Sequence, residues 1–270
     1  MLPKTTIIGG GNMGLAFAEA LLSSKLLTPD RLSIIEALPE RQKFLAGRGL
    51  SKVAAQMDAE VLSSEIILLA VKPQDAPQTL ESLNKFLSKE QLVVSIMAGR
   101  TVDWISKVLS MHSLIARGMP NLAAPWGKGI TIFFARNELN SKQIEQVEKV
   151  FSAVGKSVRV KEEGLVDAAT ALTGTGPAYF FFMAEVLAEM ACELGFAEGE
   201  ADLLAREALS GAAAVALNRS DSLSELRQKV ASKGGTTEAA FDYLLSTPFK
   251  EEFKEAIRRA YHRSKELAAF

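Results

Sequence analysis

The hydrophobic pattern changes period near residue 162. Before it, short β-rich runs alternate with stretches in which apolar residues recur every three or four positions. Thr5–Gly9 (TTIIG), Arg31–Ile35 (RLSII), Glu65–Val71 (EIILLAV), Leu92–Met97 (LVVSIM), Ser113–Met119 (SLIARGM) and Gly129–Ala135 (GITIFFA) read as strands. After Glu65 the run EIILLAV is apolar to its end and bounded by polar residues, as a parallel strand covered on both faces requires. Helical patterns fall at Asn12–Ser24, Pro39–Ala46, Asp75–Phe86 and Thr101–Leu109, and a further one starts at Ser141. A turn at Gly155 and the short run Ser157–Val160 complete this half. Strand–helix alternation at such spacing predicts an α/β, doubly wound parallel sheet over residues 1–162. Strand signals stop after Lys161, and alanine-rich helical patterns occupy residues 163–270. Breaks at Gly174–Pro177, Gly195, Asn218–Asp221, Gly234–Gly235 and Pro248 divide them into five or six helices.

The first strand runs into Gly9-Gly10-Gly11-Asn12-Met13-Gly14 and then a helix. Strand, G-x-G-x-x-G and helix form the dinucleotide-binding fingerprint. Gly9 permits the tight turn, Gly11 lets backbone approach a pyrophosphate, and Gly14 lets helix and strand pack closely. The amides of Asn12 and Met13 and the helix dipole then favour the phosphate charge. Glu36 closes the second strand, where a carboxylate accepts from an adenosine ribose and repels a 2′-phosphate. It points to NADH over NADPH, while the nearby Arg41 could serve a phosphate.

Ligands of open α/β sheets bind beyond the carboxyl ends of the strands. Three short sequences fall there: Ala70-Val71-Lys72-Pro73-Gln74, Ile96-Met97-Ala98-Gly99-Arg100 and Gly118-Met119-Pro120-Asn121. Each joins a small residue or proline to a polar one, so backbone can pass close to a flat ring; ordinary turn chemistry would look the same.

The helical half carries a second glycine-rich helix start, Ser232-Lys233-Gly234-Gly235-Thr236-Thr237. If the helix begins near Gly235 or Thr236, its first amides converge on one spot that a small carboxylate would satisfy. A threonine cap with Glu238 nearby would satisfy the same amides internally. Local chemistry leaves both open. Gly174-Thr175-Gly176-Pro177 reads equally as a domain-crossing turn or a ligand contact.

Composition adds mainly exclusions. A net charge of −1 gives no footprint for nucleic acid or an anionic membrane. The start lacks the pattern of a signal peptide, and a single cysteine fits a reducing, cytoplasmic location. Tyr179–Phe196 is the most apolar long segment, but Glu185, Glu189 and Glu193 recur along it, predicting a buried helix with one polar edge rather than a bilayer span. The one cysteine, Cys192, and two distant histidines give no metal-ligand spacing. His112 and His262 are expected at surfaces, Trp104 and Trp126 in packing.

Taken in order, GGGNMG, AVKPQ, IMAG, GMPN, TGTGPAY and VASKGGTT resemble the pyrroline-5-carboxylate reductase family over nearly the whole chain. The resemblance implies a Rossmann-type domain followed by an all-helical dimerisation domain, with dimers assembled in some members into decamers. It implies NAD(P)H-dependent reduction of the cyclic imine of 1-pyrroline-5-carboxylate to L-proline, the last step of proline biosynthesis. By the same resemblance Ser232, Gly234, Gly235, Thr236 and Thr237 hold the substrate, with Thr237 at its ring nitrogen. Gly9, Gly11, Asn12, Met13, Gly14, Glu36, Ala70, Val71, Lys72, Pro73, Ala98, Gly99 and Asn121 hold the cofactor. The chain departs from the family at Lys233, where proline is usual, at Thr175, where serine is usual, and at Leu122-Ala123, where Thr-Pro is common. The alternatives are a reductase of a related imine or 2-hydroxy acid, and a non-catalytic binding or assembly relative. The intact glycine turn and GGTT weigh against the last, and hydroxyacid dehydrogenases are expected to place a catalytic lysine in their helical domain.

Overall fold

A computed structural model describes residues 1–57 and 63–268 of the 270-residue chain. Eight strands among the described residues form one sheet: β1 (Thr5–Ile8), β2 (Leu32–Ile35), β3 (Val53–Ala54), β4 (Ile66–Leu69), β5 (Leu92–Ser95), β6 (Ile115–Met119), β7 (Gly129–Ala135) and β8 (Gly155–Val160). Their order is β3-β2-β1-β4-β5-β6-β7-β8. The register sets Ile7 beside Ile34 and Leu68, so β1 lies between β2 and β4. The reversal of strand order on either side of β1 leaves a crevice at its carboxyl end.

Both faces of the sheet are covered. On one, Ile7, Leu68, Val94 and Phe133 pack with Phe17 and Leu21 of α1 (Asn12–Ser23) and Phe151 of α5 (Ser141–Ser152). On the other, Ile8, Ile67, Leu69 and Val93 pack with Leu80 and Leu83 of α3 (Ala76–Leu83) and Ile105 of α4 (Val102–Val108). Consecutive residues of β4 thus enter opposite cores, which is why EIILLAV lacks alternation. α2 (Pro39–Gly47) contributes the buried Leu45.

The sheet differs from the expected parallel series at one step: β7 runs antiparallel to β6. The link between them holds only a 3-10 turn, Ala124–Trp126, whereas a parallel connection needs a crossover of about a dozen residues or more. β8 returns parallel to β7 after α5. The two-residue β3 is absent from the predicted series, because no apolar run marks it. Two side chains also differ from expectation. His112 is buried, and its Nε2 pairs with the Gln91 carbonyl at 2.8 Å. Trp126 is 72% exposed and packs little, while Trp104 lies under the Arg100 guanidinium at 4.5 Å from its ring.

Six helices follow residue 162 among the described residues: α6 (Gly164–Ala169), α7 (Gly176–Glu193), α8 (Glu198–Asn218), α9 (Leu223–Val230), α10 (Thr236–Ser246) and α11 (Phe249–Ala268). A π-turn, Thr170–Gly174, joins α6 to α7. Packing divides the chain into one unit of Met1–Gly174 with the residues from Ala260, and a second of Thr175–Arg259. These units do not coincide with the division at residue 162. α6 packs on β6 and β7, and Ser264 Oγ donates to the Asp167 carbonyl at 3.0 Å, so both segments join the sheet unit. In the second unit α7 packs against α8 across Gly195, whose φ of +102° suits glycine. None of the described helices is long and apolar enough to cross a membrane.

Candidate functional site

The glycine turn is built by contacts that leave no room for side chains. Gly9 has φ +103°, and a Cβ there would stand 2.7 Å from the Ala70 carbonyl oxygen at the end of β4. A Cβ on Gly14 would overlap the Gly9 carbonyl oxygen. Gly10, a variable position of the fingerprint, is constrained as well: its Cβ would strike Leu45 Cδ1 and lie 3.2 Å from Glu36 Oε2. Gly11 is different. It is the N-cap of α1, no side chain caps the helix, and the direction of its missing Cβ is open. The free amides of the first turn and an unfilled approach fit a pyrophosphate.

Two opposite charges flank the same turn. Glu36 Oε2 accepts the Gly10 N–H at 2.9 Å and its Oε1 accepts the Leu38 N–H at 2.9 Å. Arg41 Nε donates to the Gly10 carbonyl at 2.6 Å, and its guanidinium lies 4.6 Å from the Phe44 ring centroid. The carboxylate is therefore held at the β2 end by two backbone amides.

The later strand ends gather beside this turn in the sheet order β1-β4-β5-β6. Ala70, Val71, Lys72 and Pro73 follow β4, with Lys72 and Pro73 at its exit. Ala98 and Gly99 follow β5, and Arg100 ties the two segments by donating to the Pro73 carbonyl from Nε at 3.3 Å and Nη2 at 3.1 Å. Gly99 has φ +67°, and a Cβ there would lie 2.7 Å from the Leu267 carbonyl, so its missing side chain admits the end of α11. Asn121 bridges backbone: Nδ2 donates to the Thr173 carbonyl at 3.2 Å and Oδ1 accepts the Ile130 N–H at 3.3 Å.

One cluster escapes sequence reasoning. Arg117 on β6 is 1% exposed, and its Nη1 and Nη2 meet Glu163 Oε1 at 3.1 Å and Asp167 Oδ1 at 2.5 Å. The sequence signal is a lone arginine inside the apolar strand LIARGM.

In the second unit Ser232, Gly234 and Thr236 are exposed, and Gly235 and Thr237 half-buried. Gly234 takes φ +71°, and the Gly235 N–H donates to the Ser232 carbonyl at 2.9 Å, closing a turn ahead of α10. The N-cap is Gly235, with no side-chain cap, so neither threonine serves as the cap. Glu238 instead reaches back to the Gly234 N–H at 2.5 Å. Lys233 is exposed. α7, expected to be buried, presents Phe180, Phe181 and Phe182 to the surface of the single chain, each more than half exposed, and Cys192 is exposed too.

A doubly wound sheet with this glycine turn defines the class, a dinucleotide-binding protein of the Rossmann type. Two family models match the chain: "NADP oxidoreductase coenzyme F420-dependent" over residues 4–99, and "Pyrroline-5-carboxylate reductase dimerisation" over residues 163–267. A pyrroline-5-carboxylate reductase of Synechocystis is 35% identical over 97% of both chains, and one of Pseudomonas aeruginosa 31% identical over 98% and 97%. A solved pyrroline-5-carboxylate reductase of Coxiella burnetii superposes with a TM-score of 0.92 at 33% identity, covering 99% of each chain. A Plasmodium falciparum pyrroline carboxylate reductase with NADP bound shares the fold, with a TM-score of 0.85 at 23% identity over 98% of each chain. The chain belongs to the pyrroline-5-carboxylate reductase family.

Proposed function

We propose that this protein reduces 1-pyrroline-5-carboxylate to L-proline with a reduced nicotinamide dinucleotide. Family membership supports this, and the observation that carries it is a pair of glycine-capped helix starts, Gly11 before α1 and Gly235 before α10, neither closed by a side-chain cap. The first suits a pyrophosphate and the second a small carboxylate.

Gly9, Gly11, Asn12, Met13 and Gly14 hold the pyrophosphate, while Ala70–Pro73, Ala98, Gly99 and Asn121 shape the edge for the nicotinamide. Bound on this frame, the cofactor supplies a hydride to the imine carbon. Ser232, Gly234, Gly235 and Thr236 hold the substrate carboxylate, and Thr237 orients the ring nitrogen through its hydroxyl. As the hydride adds, the C=N π pair moves to a nitrogen that already carries its proton as the iminium, so the residues position rather than supply an acid.

Glu36 favours NADH. A ribose 2′-hydroxyl donates to its carboxylate, whereas a 2′-phosphate meets its charge. The apolar surface of α7 is covered by a second copy in a homodimer, which can build further into a decamer, and the enzyme works in the cytoplasm. The test is oxidation of NADH and of NADPH with pyrroline-5-carboxylate, run in parallel. Turnover with proline as product and a preference for NADH is expected. No oxidation of either would overturn the assignment, and equal or greater efficiency with NADPH would overturn the role of Glu36.

A further inference from the structure

We infer that Arg117 is a positioning residue for the nicotinamide half of the cofactor, acting through Glu163; this rests on the reductase reading above. A buried ion cluster is a poor source of stability, because desolvation offsets most of its Coulomb attraction. Its geometry has another use. Glu163 Oε1 accepts from Arg117 Nη1 at 3.1 Å and also from the Val102 N–H at 2.8 Å. That amide opens α4 and ends the segment that carries Ala98 and Gly99. Arg117 itself lies two residues before Met119 on β6 and four before Asn121. One carboxylate therefore locks the β5 exit to the β6 exit.

The same segment is held from its other side. Leu267 of α11 closes on Gly99, and Ser264 Oγ donates to the carbonyl of Asp167, whose carboxylate is the second partner of Arg117. Arg117 Nε has no partner among the described residues, so these two carboxylates hold the guanidinium. Replacing it with lysine removes the fork that engages both at once. The β5 exit would then shift relative to β6, while the glycine turn at β1 keeps its own contacts.

The experiment compares two ligands, the reduced dinucleotide and ADP-ribose, which lacks the nicotinamide. In Arg117→Lys, binding of NADH should weaken about tenfold, the scale of one or two lost hydrogen bonds to the nicotinamide, with ADP-ribose affinity within about twofold of wild type. Glu163→Ala should act in the same direction, and Glu163 is exposed enough to be replaced without emptying the core, should Arg117→Lys fail to fold. Glu163→Gln keeps an acceptor for both Val102 and Arg117, and should restore NADH binding. Equal loss for both ligands, or unchanged NADH affinity in folded Glu163→Ala, would overturn the inference. Wild-type protein that binds neither NADH nor NADPH would overturn the reductase reading and this inference with it.

Discussion

Adding one methyl group at Gly14 or at Gly11 should have different consequences, although both glycines belong to one fingerprint. At Gly14 the new Cβ overlaps the Gly9 carbonyl oxygen and sits 3.1 Å from its carbon and 3.4 Å from Ala70 Cβ. Two of these atoms are backbone of the turn itself, so no side-chain rotation relieves the overlap. Restoring van der Waals contact moves the start of α1 by ~1 Å. An amide set ~2.9 Å from a phosphate oxygen then stands near ~3.9 Å, outside hydrogen-bond range. Losing one charge-assisted bond costs ~1.5–3 kcal/mol, or roughly tenfold to a hundredfold in Kd. The fold suffers as well: overpacking costs ~1–3 kcal/mol, offset by ~1 kcal/mol from better helix propensity. At Gly11, with φ −61° and open space beyond the missing Cβ, alanine fits the free protein. Its loss of N-cap quality is offset by reduced unfolded-state entropy.

Titration of NADH by fluorescence and thermal melting separate the two. Gly11→Ala should keep its melting temperature and lose dinucleotide affinity, because the methyl group occupies the approach of the pyrophosphate. Gly14→Ala should lose affinity and melt a few degrees lower, at roughly 2–4 °C per kcal/mol for a chain of this size. Wild-type affinity in Gly14→Ala, with an unchanged melting point, would refute the steric reasoning.

Thr237→Ala should lower turnover about tenfold or more while leaving the melting temperature in place, since no side chain caps α10; unchanged kcat and unchanged L-proline affinity would remove Thr237 from the site. Burial holds the His112 pKa below its usual value of 6.5, partly opposed by hydrogen bonding to backbone at Gln91 and Leu114. Between the lowered pKa and 6.5 the unfolded chain binds more protons, so stability rises with pH, is full above 6.5 and falls as pH drops through the folded value. Urea midpoints at about pH 5.5 and about pH 7.5 should differ less in His112→Gln than in wild type, and equal differences would sink the assignment. Phe181→Glu should halve the mass measured by light scattering, because a charge then lies on the apolar face of α7; an unchanged mass would move the dimer contact elsewhere.

The order of strands and helices is legible because each carries its own period. EIILLAV announces burial on both faces, and Ile67 and Leu68 do enter opposite cores. Strand direction carries no such mark. GITIFFA reads alike either way round, and only the length of the preceding link decides that β7 is antiparallel. The exposure of α7 on the single chain is hidden for a related reason. Phe180–Phe182 report that the helix must be covered, and nothing in a period says whether by its own chain or by another. Arg117 and His112 escape because a polar residue in an apolar run announces an unsatisfied need without naming its partner. Those partners are 46 and 50 residues away for Arg117 and 21 for His112.

The two glycine-rich helix starts bring sequence and geometry closest together. Thr101 on α4, Asn140 on α5 and Ser222 on α9 each accept a first-turn amide, whereas α2, α3, α6, α7 and α8 start without a side-chain cap but with Leu38, Asp75, Glu163, Thr175 and Ala197 at the N-cap. α1 and α10 have glycine in that position and no side-chain cap. Glycine at an N-cap costs only a few tenths of a kcal/mol relative to serine, so leaving the amides free is nearly neutral for stability. It also removes the side chain that would stand between those amides and an anion. For α10 the threonines sit inside the helix rather than at its cap, and Glu238 turns back to the Gly234 amide, one position before the N-cap. The internal cap that the sequence leaves open is thus a partial one, and the carboxylate reading asks only for the amides that remain.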